Sequence, residues 1–324
     1  MIAFGPLPSR RLGRSLGINH VPPKVCSYSC VYCQVGRTTQ MRAGRCAFHD
    51  PVEIERAVRE RVAGLRQAGE RVDWLTFVPD GEPTLDVNLG REIALLRPLG
   101  IPIAVISNGS LLWREDVRAA LQAADWVSLK VDAAREEVWR RVNRPHRALR
   151  LSTIREGLRA FAQAYRGQLV TETMLVAGVN DSEDDLVEVA DFLASLKPSV
   201  AYISVPTRPP AETWVRPPAE ATVSQAYQIF SHRLRRVELL VNYEGSDFAA
   251  TGDVEAGLLG ITAVHPMREE AVAEFLAAAG ADWTVVRRLL DQGELTETAY
   301  AGHTFYVRRF PRRARSSTRS GGEA

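Results

Sequence analysis

Between residues 70 and 205, short apolar runs alternate with longer stretches whose apolar residues recur at helical spacing. The runs Trp74–Val78, Ile101–Ser107, Trp126–Val131, Leu169–Val176 and Ala201–Val205 predict strands, and a first strand is expected near Leu16–Val21. Between them Val52–Ala68, Asn88–Leu96, Arg114–Ala123, Arg135–Arg141, Ser152–Tyr165 and Asp184–Leu196 predict helices, with Ser152 and Ser182 as N-caps. Repeated β–α units imply a parallel sheet with right-handed crossovers. Six units are too few for the eight-stranded barrel and fit a partial (β/α)6 TIM-like barrel, open on one side. The pattern changes after residue 245. Met267–Ala279 and Trp283–Asp291 read as helices, broken by Gly280 and ended by Gly293, and Leu295–Tyr300 and Thr304–Arg309 alternate as a hairpin. The expected organisation is therefore a core domain at 1–245 and a small winged-helix-like α+β domain at 246–310. Such a module reads nucleic acid in some proteins and is a plain interaction unit in others.

The strand ends share a property. Four expected strands run directly into polar or Gly/Pro clusters: Pro79-Asp80-Gly81-Glu82-Pro83, Ser107-Asn108-Gly109, Gly178-Val179-Asn180-Asp181 and Pro206-Thr207-Arg208-Pro209-Pro210. Each alone is ordinary turn chemistry. Together on the C-terminal rim of a partial barrel they define a shared site. In the Trp126–Val131 strand, Ser128, Lys130 and Asp132 alternate with Val127, Leu129 and Val131. A polar inner face suits a lumen that holds a charged cofactor.

Composition narrows the setting. The 324 residues are 45% hydrophobic and carry a net charge of +2, enough apolar matter for a large core and no demand for a polyanionic partner. Arginines crowd the end of the chain among Ser, Gly and Thr. Residues 311–324 are expected to be disordered, a solvated tail or a weak nucleic-acid contact. No apolar run approaches the roughly 18 residues of a membrane span, and the N-terminus lacks a signal-peptide pattern. Three of the four cysteines fall within eight residues, which points to a metal site in a reducing, cytoplasmic compartment rather than to disulfides.

Those cysteines, Cys26, Cys30 and Cys33, are spaced C-x3-C-x2-C just after the first strand. Three thiolates in one loop suit three irons of a cubane, leaving the fourth iron open. The competing reading is a structural zinc completed by Cys46 or His49.

C-x3-C-x-(aromatic)-C, with Tyr32 at the aromatic position, resembles the signature of the radical S-adenosylmethionine (SAM) superfamily. Gly81-Glu82-Pro83, preceded by Asp80 in place of a glycine, resembles that superfamily's GGEP motif, which contacts the SAM amino group. Ser107-Asn108-Gly109 resembles its ribose-side motif. Ser128-Leu129-Lys130 is similar to a D-L-K segment of glycyl-radical activating enzymes, which implies that Lys130 meets the SAM carboxylate; a lysine whose head escapes to solvent is the alternative. Within the superfamily, Pro8–Gly17, Pro22-Pro23-Lys24, Thr173–Val176 and Arg208-Pro209-Pro210 are most similar to the group containing the wyosine-biosynthesis enzymes, although the extra cysteines or flavodoxin-like domain of those enzymes are not found here.

The resemblance implies a [4Fe–4S] cluster held by Cys26, Cys30 and Cys33. It implies SAM contacts from Tyr32, Asp80, Gly81, Glu82, Pro83, Ser107, Asn108, Ser128 and Lys130, and reductive cleavage of SAM to a hydrogen-abstracting 5′-deoxyadenosyl radical. An electron donor such as flavodoxin or ferredoxin is then required. Arg208, in the Pro-rich stretch 206–218, is a candidate for a substrate phosphate or carboxylate, against a plain stiff loop. The leading substrate class is tRNA. The alternatives are a protein or small metabolite, and a non-enzymatic metal-sensing regulator that binds nucleic acid. Asp181–Asp185 reads as a capped helix start rather than a metal site, and His265 as structural.

Overall fold

The computed structural model describes residues 1–241 and 253–309. The expected domain boundary near 245 and the Arg-rich tail 311–324 lie outside the described residues.

Eight strands form the main sheet: β1 (Ala3–Ser9), β2 (Gly13–Ile18), β3 (Trp74–Phe77), β4 (Ile103–Ser107), β5 (Trp126–Lys130), β6 (Gln168–Met174), β7 (Val200–Ser204) and β8 (Val237–Leu240). They lie side by side in chain order. Strands β2 to β8 pair parallel, while β1 turns back antiparallel on β2. The six expected strands are β2–β7, and β8 adds a seventh parallel strand. The β2–β8 crossovers carry α1 (Pro51–Gln67), α2 (Leu89–Leu96), α3 (Glu115–Leu121), α4 (Glu136–Asn143), α5 (Leu151–Ala164), α6 (Glu183–Leu196) and α7 (Glu220–Ser231). Helix α1 shows why these segments fold as they do. Asp50 caps it by accepting from Val52 N, and Ile54, Val58, Val62 and Leu65 form its buried stripe. This mixed α/β architecture is a partial TIM-like barrel.

Ser182 caps α6 as expected, its hydroxyl accepting from Asp185 N. Ser152 does not cap α5: the helix begins at Leu151, one residue earlier, after an extended Arg150. Inside the sheet, Trp126, Leu12, Ala104, Val170 and Tyr202 form an apolar plug.

After residue 253 the chain forms α8 (Val254–Val264), β9 (Met267–Arg268), α9 (Glu269–Ala278), α10 (Thr284–Asp291), β10 (Leu295–Tyr300) and β11 (His303–Arg308). The three strands pair antiparallel in the order β9-β11-β10. Met267 and Arg268, expected to begin a helix, instead pair with Tyr306 and Phe305. Leu258, Ile261, Met267, Phe275, Leu289 and Tyr306 belong to a separate small core. Helix α8 lies on β1: a Cβ at Gly260 would sit 3.0 Å from Met1 Sδ and 3.5 Å from Phe4 Cβ.

Candidate active site

The cysteine loop leaves β2 and is held by two neighbours. One is the segment after α4. Arg144 takes a left-handed conformation (φ 45°) that ends the helix and turns the chain alongside the loop. Val31 N then donates to Val142 O (3.0 Å), Ser29 N to Asn143 O (3.0 Å) and His146 N to Ser27 O (2.8 Å). The other neighbour is the end of β3. Glu82 N donates to Val25 O at 3.1 Å, and a Cβ on residue 81 would lie 2.1 Å from that same oxygen. Glycine at 81 is thus a condition of close backbone approach.

Glu82 is 1% exposed. Its Oε1 accepts from Thr84 N (3.0 Å), Thr84 Oγ1 (2.6 Å) and Ser107 Oγ (2.7 Å), and its Oε2 accepts from Asn108 N (2.8 Å). Burial raises its pKa, and these donors oppose the shift. The Asn108 amide donates to Ser27 Oγ (2.9 Å) and approaches Cys26 Sγ (3.6 Å). One carboxylate therefore locks the ends of β3 and β4 to each other, and Asn108 carries that lock to the cysteine loop.

Asp80 follows the opposite rule. Its Oδ2 accepts from Asn19 Nδ2 (3.1 Å), while its Oδ1 is buried with no hydrogen-bond partner among the described residues. Burial pushes its pKa up to about 6, against the Asn19 hydrogen bond and the nearby charges of Arg308 and Lys24.

Across the cavity, Lys130 Nζ donates to Glu172 Oε1 (2.6 Å), Ser204 Oγ donates to the same oxygen (2.9 Å), and Arg11 Nη1 donates to Oε2 (2.6 Å). Burial alone would raise Glu172; the Lys130 ammonium and the Arg11 guanidinium overcome it and hold the carboxyl well below the usual range. Burial likewise opposes the charge on Lys130, and Glu172 and Asp132 outweigh it and raise that pKa. Arg11 also stacks over the rings of Trp126 and Tyr202. The side chain of Tyr32 faces Asp132 and donates to its Oδ2.

At the far wall, Arg208 Nη1 donates to Gln34 Oε1 (2.9 Å), and its Nη2 lies 3.0 Å from His265 Nε2. Guanidinium only donates, so this imidazole nitrogen accepts and the ring is neutral. Burial, with Arg208 second, holds His265 well below its ordinary pKa. His265 is the C-cap of α8, its N–H donating to Ile261 O. Gln34 Nε2 donates to Val264 O (2.7 Å) and Tyr300 Oη to Pro206 O (3.2 Å), so the C-terminal unit is tied to both the cysteine loop and the loop after β7.

These groups enclose one cavity of about 350 Å³. Of the residues expected from sequence, Cys26, Cys30, Cys33, Tyr32, Asp80, Gly81, Glu82, Ser107, Asn108, Lys130 and Arg208 line it. Ser128 and Pro83 do not. Ser128 is buried one strand layer below Lys130, with its Oγ unbonded, and the Pro83 carbonyl accepts from the buried His20 Nε2 at 3.2 Å. Arg11, Glu172 and His265 line the cavity without having been anticipated.

The three thiols fit a cubane. None is in a disulfide. All three line one cavity, and cubane thiolates each hold a different iron. Burial pushes Cys30 up to about 12, with Asp132 and Cys33 adding to the shift, and raises Cys26 and Cys33 as well. Part-buried thiols held above their ordinary pKa would give up their protons on binding a cation such as iron. Cys46 lies outside the cavity lining, with Arg42 Nη1 3.2 Å from its sulfur.

A parallel partial barrel with a three-thiol loop and strand-end motifs on one rim defines a radical SAM enzyme. The chain belongs to the radical SAM superfamily, whose family model matches residues 21–193, and its cofactors are a [4Fe–4S] cluster and SAM. A UPF0026 protein of Methanocaldococcus jannaschii is 45% identical over 309 residues, covering 95% of this chain and 96% of its own. A UPF0026 protein of Helicobacter pylori is 35% identical over 211 residues, 64% of this chain and 67% of its own. Among solved structures, a radical SAM methyltransferase from Sphaerobacter thermophilus shares the fold with a TM-score of 0.54 at 15% identity, covering 70% of this chain and 66% of that one. Streptococcus suis SuiB bound to SAM gives 0.51 at 12% identity, covering 68% and 49%. Among the described residues, no helix is long and apolar enough to cross a membrane.

Proposed function

We propose that this chain abstracts a hydrogen atom from its substrate inside the cavity shared by the cysteine loop, Asp80 and Lys130. When bound, the cluster and SAM supply one-electron reductive cleavage, which yields methionine and a 5′-deoxyadenosyl radical. Cys26, Cys30 and Cys33 hold the cluster. Asp80 Oδ1, buried and unbonded, accepts from the SAM ammonium, and Lys130 meets the SAM carboxylate. Glu82, Ser107 and Asn108 fix the rim on which the cofactor lies. Val264, His265 and Arg208 wall off the far side, which excludes water from a reactive species. The observation that carries this reading is the meeting of three thiols, an unsatisfied buried carboxylate and a lysine in a single cavity.

For the substrate, tRNA is one reading. Its supports are the helix–strand–helix–helix–hairpin order of the C-terminal unit, which suits a winged helix, and the arginines near the end of the sequence. The likeness to the wyosine group rests on the sequence segments alone. A small metabolite or a protein side chain is the second reading, and one observation favours it: the C-terminal unit turns Val264 and His265 into the cavity wall. A flavodoxin- or ferredoxin-like donor, in a reducing compartment such as the cytoplasm, supplies the electron.

The test is anaerobic reconstitution with iron and sulfide, reduction, addition of SAM and assay of 5′-deoxyadenosine. Product from the intact chain and none from Cys30→Ala is expected; stoichiometric zinc with no cluster would sink the reading. Retardation of labelled tRNA supports the RNA substrate, and no retardation at low salt counts heavily against it.

A further inference from the structure

We infer that Asn143 sets the reduction potential of the cluster through an N–H···S hydrogen bond to Cys30, with Asp132 fixing the amide that donates it. This rests on the cluster assignment above and deepens it.

Asn143 is the last residue of α4 and is 2% exposed. Its Nδ2 lies 2.6 Å from Asp132 Oδ2 and 3.4 Å from Cys30 Sγ. The orientation of an asparagine amide is decided by its partners. Asp132 receives the Tyr32 hydroxyl at Oδ2 and Met174 N at Oδ1 (2.8 Å); burial raises its pKa, and the Lys130 charge and these donors oppose the shift and favour the carboxylate, an acceptor at both oxygens. Only the nitrogen of Asn143 can face it. The second N–H of that nitrogen is then directed at the Cys30 sulfur.

A donor aimed at a cluster sulfur stabilises the reduced state more than the oxidised one, because reduction adds negative charge, and so it raises the potential. The Asn108 amide approaches Cys26 at 3.6 Å and has a nearer partner in Ser27, so it is less free to donate to sulfur than Asn143. Backbone atoms do the separate work of holding the loop. Asn143 O and Val142 O accept from Ser29 N and Val31 N whatever side chain stands at 143. Tuning and holding are thus separable at this residue.

The experiment is an EPR-monitored redox titration of the reconstituted chain without SAM, comparing wild type with Asn143→Leu and Asn143→Ser. Two substitutions guard against one failing to fold. Both are expected to keep their iron and sulfide and to lower the midpoint, by about a tenfold change in the reduction equilibrium or about 59 mV for one electron. An unchanged or higher midpoint at full iron and sulfide content overturns the inference. Loss of the cluster from both variants also overturns it, since Asn143 would then hold the loop rather than tune it. A wild-type chain that takes up no cluster fails the cofactor assignment itself, a result that the iron and sulfide analysis separates from the other two.

Discussion

At the cofactor end of the cavity a single carboxylate, Glu82, accepts four hydrogen bonds from neutral donors on two adjoining strand ends. Across the cavity the partners are themselves polar and charged: Glu172 lies between the cations Lys130 and Arg11, and the Arg208 guanidinium between the neutral Gln34 and His265. The first arrangement is complete in itself and leaves a ligand nothing to rearrange. The second is made of partners that a ligand can compete for. A rigid rim fixes where a cofactor lies, and the charge network across the cavity, in which Lys130 is shared between Glu172 and the proposed SAM carboxylate, can exchange partners when a ligand arrives.

The comparison breaks most severely at Glu82. Replacing it with Leu strands the buried donors of Thr84, Ser107 and Asn108, and urea unfolding is expected to show a loss of about 3–5 kcal/mol. Glu172→Gln comes next, at about 3 kcal/mol at pH 7, because two buried cations lose their counter-charge. The sign with pH is fixed by the depressed pKa of Glu172. Its contribution is present above the unfolded carboxyl pKa, roughly 4.3, and lost as pH falls toward the folded value, so the gap between variant and wild type closes in acid.

Asp80→Asn acts in the other direction. A carboxyl raised to about 6 costs the folded chain stability above that pH and nothing below the unfolded value near 3.9. The variant is therefore expected to be more stable at pH 8, by about 3 kcal/mol, and equal to wild type at pH 3.5, while it binds SAM more weakly in calorimetry. The smallest effect on stability belongs to Arg208→Ala. It is expected to weaken substrate binding and to leave 5′-deoxyadenosine formation from SAM alone unchanged; equal substrate affinity would remove Arg208 from the substrate site.

How much of this was legible in the sequence follows the same division. Strands β2–β7 show as apolar runs because a parallel sheet covered by helices buries both strand faces. Strand β1 is hidden by Pro6 and Pro8, and β8 is an edge strand in which only Leu240 is buried. Helix α8 is apolar almost throughout and so has no helical period to detect. The cysteines, Gly81-Glu82 and Ser107-Asn108 announce themselves by spacing. Glu172 does not: within Leu169–Met174 it reads as one polar residue of a strand, and its partner Arg11 is 161 positions away. Lys130 was placed on the lumen side by alternation, but the partner that holds it there was not. His265 acquires its setting only when α8 docks on β1.

That docking puts a clock into the assembly of the site. The three thiols of the cysteine loop are all made by Cys33, yet the wall formed by Val264 and His265 is made more than two hundred residues later. Iron and sulfide are therefore expected to reach the thiols more readily before the late helix seats against the first strand than after it. Refolding with iron and sulfide present from the start should fill the site faster than adding them to the folded chain.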